Sequence, residues 1–332
     1  MVVKKIKGVI VIVVVLCTFL SACEQGTGKN SQIKNLKEWD GLVEKGVLKK
    51  IKIPFLSNIS EMSLYGDLLL LQQEKMDTSF VLWNVQDSLE QYIKFGQVGQ
   101  GPSDVLRTAL LFDESETKSI RILDGMFIKS YKKDDDSIVF VGKEKCKSAY
   151  NFYRRISVLR DSLCCVKISS PHETGLYLMN IYSGNIYDSI SVKQGYFENK
   201  DVPWDFNYCL YKNKLVLGRS KFNQFEVYKL MLHENRFILD YIINYKGASP
   251  EHVTRKSACY MRDVVADDEC FYLLNQDTEN YGKETYLDIY KWEGIPLKRI
   301  VLDDLYLQMV LQSNKIYLKK YSDDENIYML EV

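Results

Sequence analysis

The chain has few histidines, no excess charge of either sign and none of the compact motifs that mark common active sites. Its three histidines, His172, His233 and His252, lie in separate regions, and none has a carboxylate or a second histidine at metal-ligand spacing. They read as surface-loop or turn residues. There is no G-x-S-x-G elbow and no C-x-x-C pair, and no cysteine is marked as a nucleophile. The acidic run Asp134, Asp135, Asp136 lacks the D-x-D-x-D-G spacing of a calcium loop and reads as a solvated hairpin turn. Basic and acidic residues are equal in number, 44 each, and the lysines are scattered. Without a basic tract to neutralise several phosphates, no nucleic-acid partner is expected. No metal or other cofactor is expected either.

What the chain does have begins at its N-terminus. Lys4, Lys5 and Lys7 precede an uncharged apolar run of twelve residues, 9–20. A spanning helix needs about 20 residues, so the run is too short to cross a bilayer. Basic start, short apolar middle and small residues before a polar stretch describe a secretory signal over residues 1–22. The run ends in Leu20, Ser21, Ala22, Cys23, which resembles the lipobox of bacterial lipoproteins. In that motif the signal is cut before the cysteine and its sulfur receives a diacylglyceryl group, with palmitate-type chains. Each buried methylene contributes about 0.8 kcal/mol, and two or more chains hold a protein on a membrane where one would release it. The expected partner of Cys23 is therefore the membrane. Removal of the signal takes three lysines and no acid, leaving 41 basic against 44 acidic residues.

Six cysteines remain beyond Cys17 of the signal and Cys23: Cys146, Cys164, Cys165, Cys209, Cys259 and Cys270. Adjacent Cys164 and Cys165 would face opposite sides of a strand, so they cannot join one metal site. An exported chain permits disulfides, but the expectation is that most of these are small buried hydrophobes. Residues 23–46 read as a lipidated tether: 24–31 are polar and contain glycine, and Ile33, Leu36, Trp39 and Leu42 recur every three residues, as in a short helix weakened by Gly41.

From residue 47 onward short runs rich in Val, Ile, Leu, Tyr and Phe alternate with Asp, Asn, Gly and Ser clusters, and tyrosine occurs 23 times. That composition favours strands. A four-strand unit recurs, and its second, most apolar strand falls at 68–71, 119–123, 163–166, 214–217, 270–274 and 315–318. Spacings of about 45–55 residues suit propeller blades. The sixth unit has only three strands before residue 332, and residues 47–54 belong to no unit, so they can supply the missing fourth. The expected fold is all-β: residues 47–332 form a six-bladed β-propeller of four-stranded blades, closed by an N-terminal strand in the last blade. A β-sandwich, or two all-β domains, is the alternative.

The lipobox, the six units and the segment Phe95-Gly96-Gln97-Val98-Gly99-Gln100-Gly101-Pro102-Ser103-Asp104 together resemble the lipid-anchored, TolB-like six-bladed propellers of the bacterial envelope, close in shape to NHL-type propellers. The resemblance covers nearly all of the chain after the signal. In that family a similar glycine-rich segment joins the first two blades and an aromatic follows the proline; here Asp104 and Val105 stand in its place. The resemblance implies the fold and a lipid-anchored place in the cell envelope, periplasmic or associated with the outer membrane, and no particular activity. Read as a phosphate loop the segment fails, because proline follows the last glycine and removes an amide donor. Residues 245–251 echo it in the fourth unit.

Function on a propeller concentrates at the channel mouth, where the first strands of the blades converge. The candidates there are Asp104 and Arg107, Arg154 and Arg155, Asp205 and Asn207, and Arg262 and Asp263. Such a set holds an acidic or hydroxyl-rich ligand by charge-assisted bonds, or else ties neighbouring blades together. Two functions follow. One is a non-catalytic binding or scaffold propeller for an envelope protein segment or a glycan. The other is a metal-dependent hydrolase or lyase at the channel mouth, whose ligands from different blades would leave no local motif.

Overall fold

The computed structural model describes residues 32–36, 39–55, 58–85, 91–106, 109–113, 119–146, 153–160, 162–169, 174–191, 206–220, 223–245, 261–276 and 285–332. The lipidation cysteine Cys23, together with Arg107, Asp205, Cys259, His172, His252 and most of the 245–251 echo, lies outside them, as does the side chain of Arg154. Every regular element among the described residues is a strand.

Three strands come from the N-terminal segment: β1 (Gln32–Leu36), β2 (Leu42–Lys45) and β3 (Lys49–Lys52). The first sheet follows, an antiparallel meander of β4 (Ile59–Tyr65), β5 (Leu68–Gln73), β6 (Thr78–Trp83) and β7 (Tyr92–Gln97). An eight-stranded sheet has two antiparallel halves. One is β8 (Leu110–Asp113), β9 (Ile120–Asp124), β10 (Phe127–Asp134) and β11 (Ser137–Lys145); the other is β12 (Tyr153–Arg160), β13 (Leu163–Ser169), β14 (Thr174–Asn180) and β15 (Ile186–Ser191). Among the described residues the halves are strand-paired only where Ile156 and Ser157 of β12 pair in parallel with Phe112 and Asp113 of β8, and a shared apolar cluster packs between them. Next comes β16 (Phe206–Tyr211), β17 (Lys214–Arg219), β18 (Gln224–Met231) and β19 (Arg236–Tyr245), with β1 as a fifth, parallel strand on the edge of β19. Then β20 (Met261–Ala266), β21 (Cys270–Asn275), β22 (Thr285–Lys291) and β23 (Pro296–Leu302) take β2 in the same way on β23. The last sheet is β24 (Tyr306–Gln312), β25 (Lys315–Lys320) and β26 (Asn326–Glu331), and its fourth strand is β3, antiparallel to β26.

The apolar runs seen in the sequence are the second strands β5, β9, β13, β17, β21 and β25. They read as continuous rather than alternating because both faces of each strand are covered. Leu69 and Leu71 pack towards the last sheet while Leu70 packs towards β8 and β9. Cys164 and Cys165 likewise enter different clusters. Cys146, Cys164, Cys165 and Cys270 are buried, Cys209 is partly so, and all five are free thiols. The core is a series of such clusters between successive sheets. One of them joins Val310, Tyr317 and Ile327 of the last sheet to Ile59, Met62 and Leu71 of the first.

The turns follow the sequence signals. Gly66, Gly125, Asp135, Lys212 and Ser313 each open a two-residue hairpin with positive φ, between 46° and 60°. Asp135 and Asp136 are thus the exposed turn between β10 and β11. The helix suggested by the apolar spacing over residues 33–42 is replaced by β1 and β2. Ile33 and Leu42 remain 59 % and 58 % exposed, so the spacing does not define a buried face; backbone pairing with the open edges of β19 and β23 decides the conformation.

Candidate functional site

The first strands β4, β12, β16, β20 and β24 face a common central space, and four of them share one irregularity. In β4, β12, β20 and β24 the register with the second strand slips near the start of the first strand, leaving Ser60, Arg154, Arg262 and Leu307 as extra residues; β12 slips a second time, at Leu159. A bulge of this kind bends the strand and re-aims the neighbouring side chains. The residues that follow, Glu61, Arg155, Asp263 and Gln308, all line the central cavity.

Arg155 lines this space on both sides. Its Nη2 lies 3.4 Å from Oδ2 of Asp113 and its Nη1 lies 3.5 Å from Oδ1 of Asp263, so one guanidinium ties the two halves of the eight-stranded sheet to the sheet of β20. Burial opposes its charge, but Asp113 and Asp263 outweigh burial and hold it protonated. Asp263 also accepts from the amides of Val264 and Met309, at 2.9 Å each. Glu61 completes the group. Burial pushes its carboxyl up to about 7, Arg155 pulls against that shift, and Asp113 and Asp263 add to it. Beneath the guanidinium lies the ring of Tyr208, 5.4 Å away, whose hydroxyl donates to the carbonyl of Cys165 at 3.0 Å.

This charged waist separates two chambers that share Glu61, Met62, Arg155 and Met309. The larger, about 430 Å³, lies where the first strands begin and is walled by Arg262, Lys167, Asn207, Ser220 and Gln308 in addition to the waist. The smaller, about 200 Å³, lies where those strands end, among Ser157, Leu210, Val265 and Leu311. Cys209 faces the smaller chamber; burial pushes its thiol up to about 12, which leaves no thiolate for nucleophilic chemistry at neutral pH.

Polar side chains bridge successive sheets around the same space. Gln72 donates to the carbonyl of Ala109, Asn207 to that of Arg262, and Gln308 to that of Ser60. The last bond joins the final sheet to the first.

The structure thus brings Arg155, Arg262 and Asp263 to one cavity and places Asp104 elsewhere. Oδ2 of Asp104 accepts from the amide of Gly101 at 2.7 Å within the glycine segment, and a Cβ on Gly99 would stand 2.3 Å from that oxygen. The segment is a structural loop that Asp104 holds shut. The first strand of the second unit begins at Leu110, so its inward carboxylate is Asp113. Glu61, Asp113, Lys167 and Ser220 were not evident from the sequence. For Glu61 and Asp113 a signal exists, namely a charge within a short apolar first strand; for Lys167 and Ser220, on or just after second strands, there is none.

No family model matches the chain, and no curated protein matches it. Solved structures do. A Bacteroides fragilis protein described as exported superposes with a TM-score of 0.57 at 10 % identity, covering 90 % of this chain and 99 % of that one. Regucalcin from Agrobacterium tumefaciens, described as calcium-binding, gives 0.52 at 8 % identity over 87 % and 95 % of the two chains. The WD40 repeats of RRP9 give 0.51 at 10 % identity over 89 % and 99 %. These neighbours and the all-β meanders define the fold as a β-propeller. At such identities the likeness concerns the fold alone.

Proposed function

We propose that this protein is a six-bladed, closed β-propeller, anchored to the bacterial envelope through Cys23, that binds its ligand rather than transforming it. Six blades follow if the two halves of the eight-stranded sheet, joined by two residue pairs, are separate blades. Closure is supported by the pairing of β3 with β26 and by the apolar cluster between the last and first sheets. The lipobox and the glycine segment support membership among the TolB-like envelope lipoproteins, and the exported neighbour is in keeping with an envelope location.

The observation that carries the binding reading is Arg155. Carboxylates of Glu61, Asp113 and Asp263 approach one space from three blades, and the cation among them is a guanidinium. Their charge is directed to a side chain, which leaves the larger chamber as a pocket for an envelope glycan or protein segment. The test is thermal unfolding of the dialysed protein with and without chelator. An unchanged midpoint is expected; a bound ion that survives dialysis, with a midpoint that drops on chelation, would favour the metal-dependent hydrolase or lyase. Loss of palmitate labelling in Cys23→Ser tests the anchor.

A further inference from the structure

The larger chamber carries information about ligand chemistry. Three buried polar atoms in its wall have no hydrogen-bond partner among the described residues: Oγ of Ser220, Nε of Arg155 and Oε1 of Gln308. Ser220 is only 2 % exposed. Unpaired buried groups that face a cavity mark the place of an ordered water or a ligand atom. Arg262 reaches the same cavity with Nε and Nη2 both donating to one acceptor, Oε1 of Gln276. The cations of the wall are Arg155, Lys167 and Arg262, and its anions are Glu61 and Asp263. Arg155 and Asp263 offset one another, which leaves Arg262 and Lys167, whose Nζ also donates to the carbonyl of Phe206, against Glu61. The balance favours an anion.

We propose that this chamber receives the carboxylate-bearing terminal sugar of an acidic glycan, with Arg262 and Arg155 facing the carboxylate and Ser220, Asn207 and Gln308 meeting hydroxyls. The inference rests on the binding reading above. A cavity of about 430 Å³ lies in the range of small-ligand pockets, roughly 300–1,000 Å³. A sugar fits this wall better than a peptide because hydrogen-bonding groups surround it, while its apolar part is limited to Met62, Met261, Leu307 and Met309.

Binding is coupled to a proton on Glu61. An anion in the chamber adds to burial, Asp113 and Asp263 in disfavouring the ionised carboxyl, against the pull of Arg155. Lys167 and Arg262 line the same chamber as Glu61, and Tyr208 and Cys209 line the cavities beside it, both held protonated at neutral pH by burial. Affinity for the acid sugar therefore falls as pH rises through the titration of Glu61.

The experiment is calorimetric titration of the purified full-length chain with glucuronate at pH ~6 and ~8.5, with glucose and a free tetrapeptide as comparisons. Glucuronate is expected to bind about tenfold more tightly than glucose, and R262Q to weaken it about tenfold. The native chain should lose about tenfold in affinity between the two pH values, and E61Q, which keeps the pocket shape, should bind with no pH dependence. Absence of glucuronate binding, equal binding of glucose, or indifference to both substitutions overturns the proposal. Tetrapeptide binding that R262Q abolishes, without glucuronate binding, overturns the sugar and leaves the binding reading standing. Chemical turnover of the sugar would instead overturn the binding reading.

Discussion

The guanidinium of Arg299 sits 4.6 Å from the centre of the Trp39 ring while Nε and Nη2 donate to the two carboxylate oxygens of Asp288, at 2.6 and 2.8 Å. Trp39 belongs to the N-terminal segment between β1 and β2, and Arg299 to β23, so one side chain links a buried ion pair to the strap laid over the sheet edges. Trp39 also packs edge-on against Tyr290, with ring centres 5.5 Å apart.

Asp288 is fully buried, and it also accepts from the side-chain Nδ2 of Asn275 at 2.9 Å. Arg299→Met therefore leaves a buried charge without its cation, which costs about 3–5 kcal/mol. Urea denaturation of this variant should show a midpoint lowered accordingly. Trp39→Ala should cost less, since it removes packing and the cation–π contact and leaves the ion pair intact.

Arg155→Met should also destabilise, but by about 2–3 kcal/mol, less than for a fully buried pair. The difference arises because Asp113 keeps 41 % of its side chain exposed and water takes over part of the role of the guanidinium. Thermal unfolding of this variant should improve at acid pH relative to native, where Glu61 and Asp263, both raised by burial, become neutral.

Glu61 gives the chain a distinct pH dependence. Its folded-state value is raised from 4.5 to about 7, so the native state binds the proton more tightly than the unfolded chain does. The stability it contributes is present in full below pH 4.5 and is lost as pH rises through about 7. Glu61→Gln should then match the native protein near pH ~5 and exceed it by about 2 kcal/mol near pH ~8, allowing for the water that reaches the cavity. Denaturation curves at the two pH values measure this; equal differences at both would contradict it.

The parts of this fold that were legible in the sequence are those where burial acts on whole strands. Leu68–Gln73, Leu163–Ser169 and Cys270–Asn275 stand out because both faces are packed, and the orphan segment at 47–54 supplies β3 to a three-stranded unit. What was not legible depends on register and on distant partners. The slips at Ser60, Arg154, Arg262 and Leu307 leave no mark in composition, yet they decide which side chain enters the cavity. Arg155 was evident as a candidate, but its partner Asp113 lies 42 residues away, on a strand that starts at Leu110, beyond the Asp104 and Arg107 that the sequence offered for that unit. Similarly, the apolar spacing at Ile33 and Leu42 imitates a helix, and only the open edges of β19 and β23 show why strands form instead.

The most direct test of the account is amide hydrogen exchange across the closing sheet, read at Lys49–Lys52 and at Asn326–Glu331. If β3 closes a six-bladed ring, Ile51, opposite Ile327, should exchange as slowly as the strands of the first sheet, and both segments should open only with global unfolding. Fast exchange at Lys49–Lys52 with continued protection at Asn326–Glu331 would mean that β3 is a detachable edge strand, and would contradict the closed ring on which the central binding chamber depends.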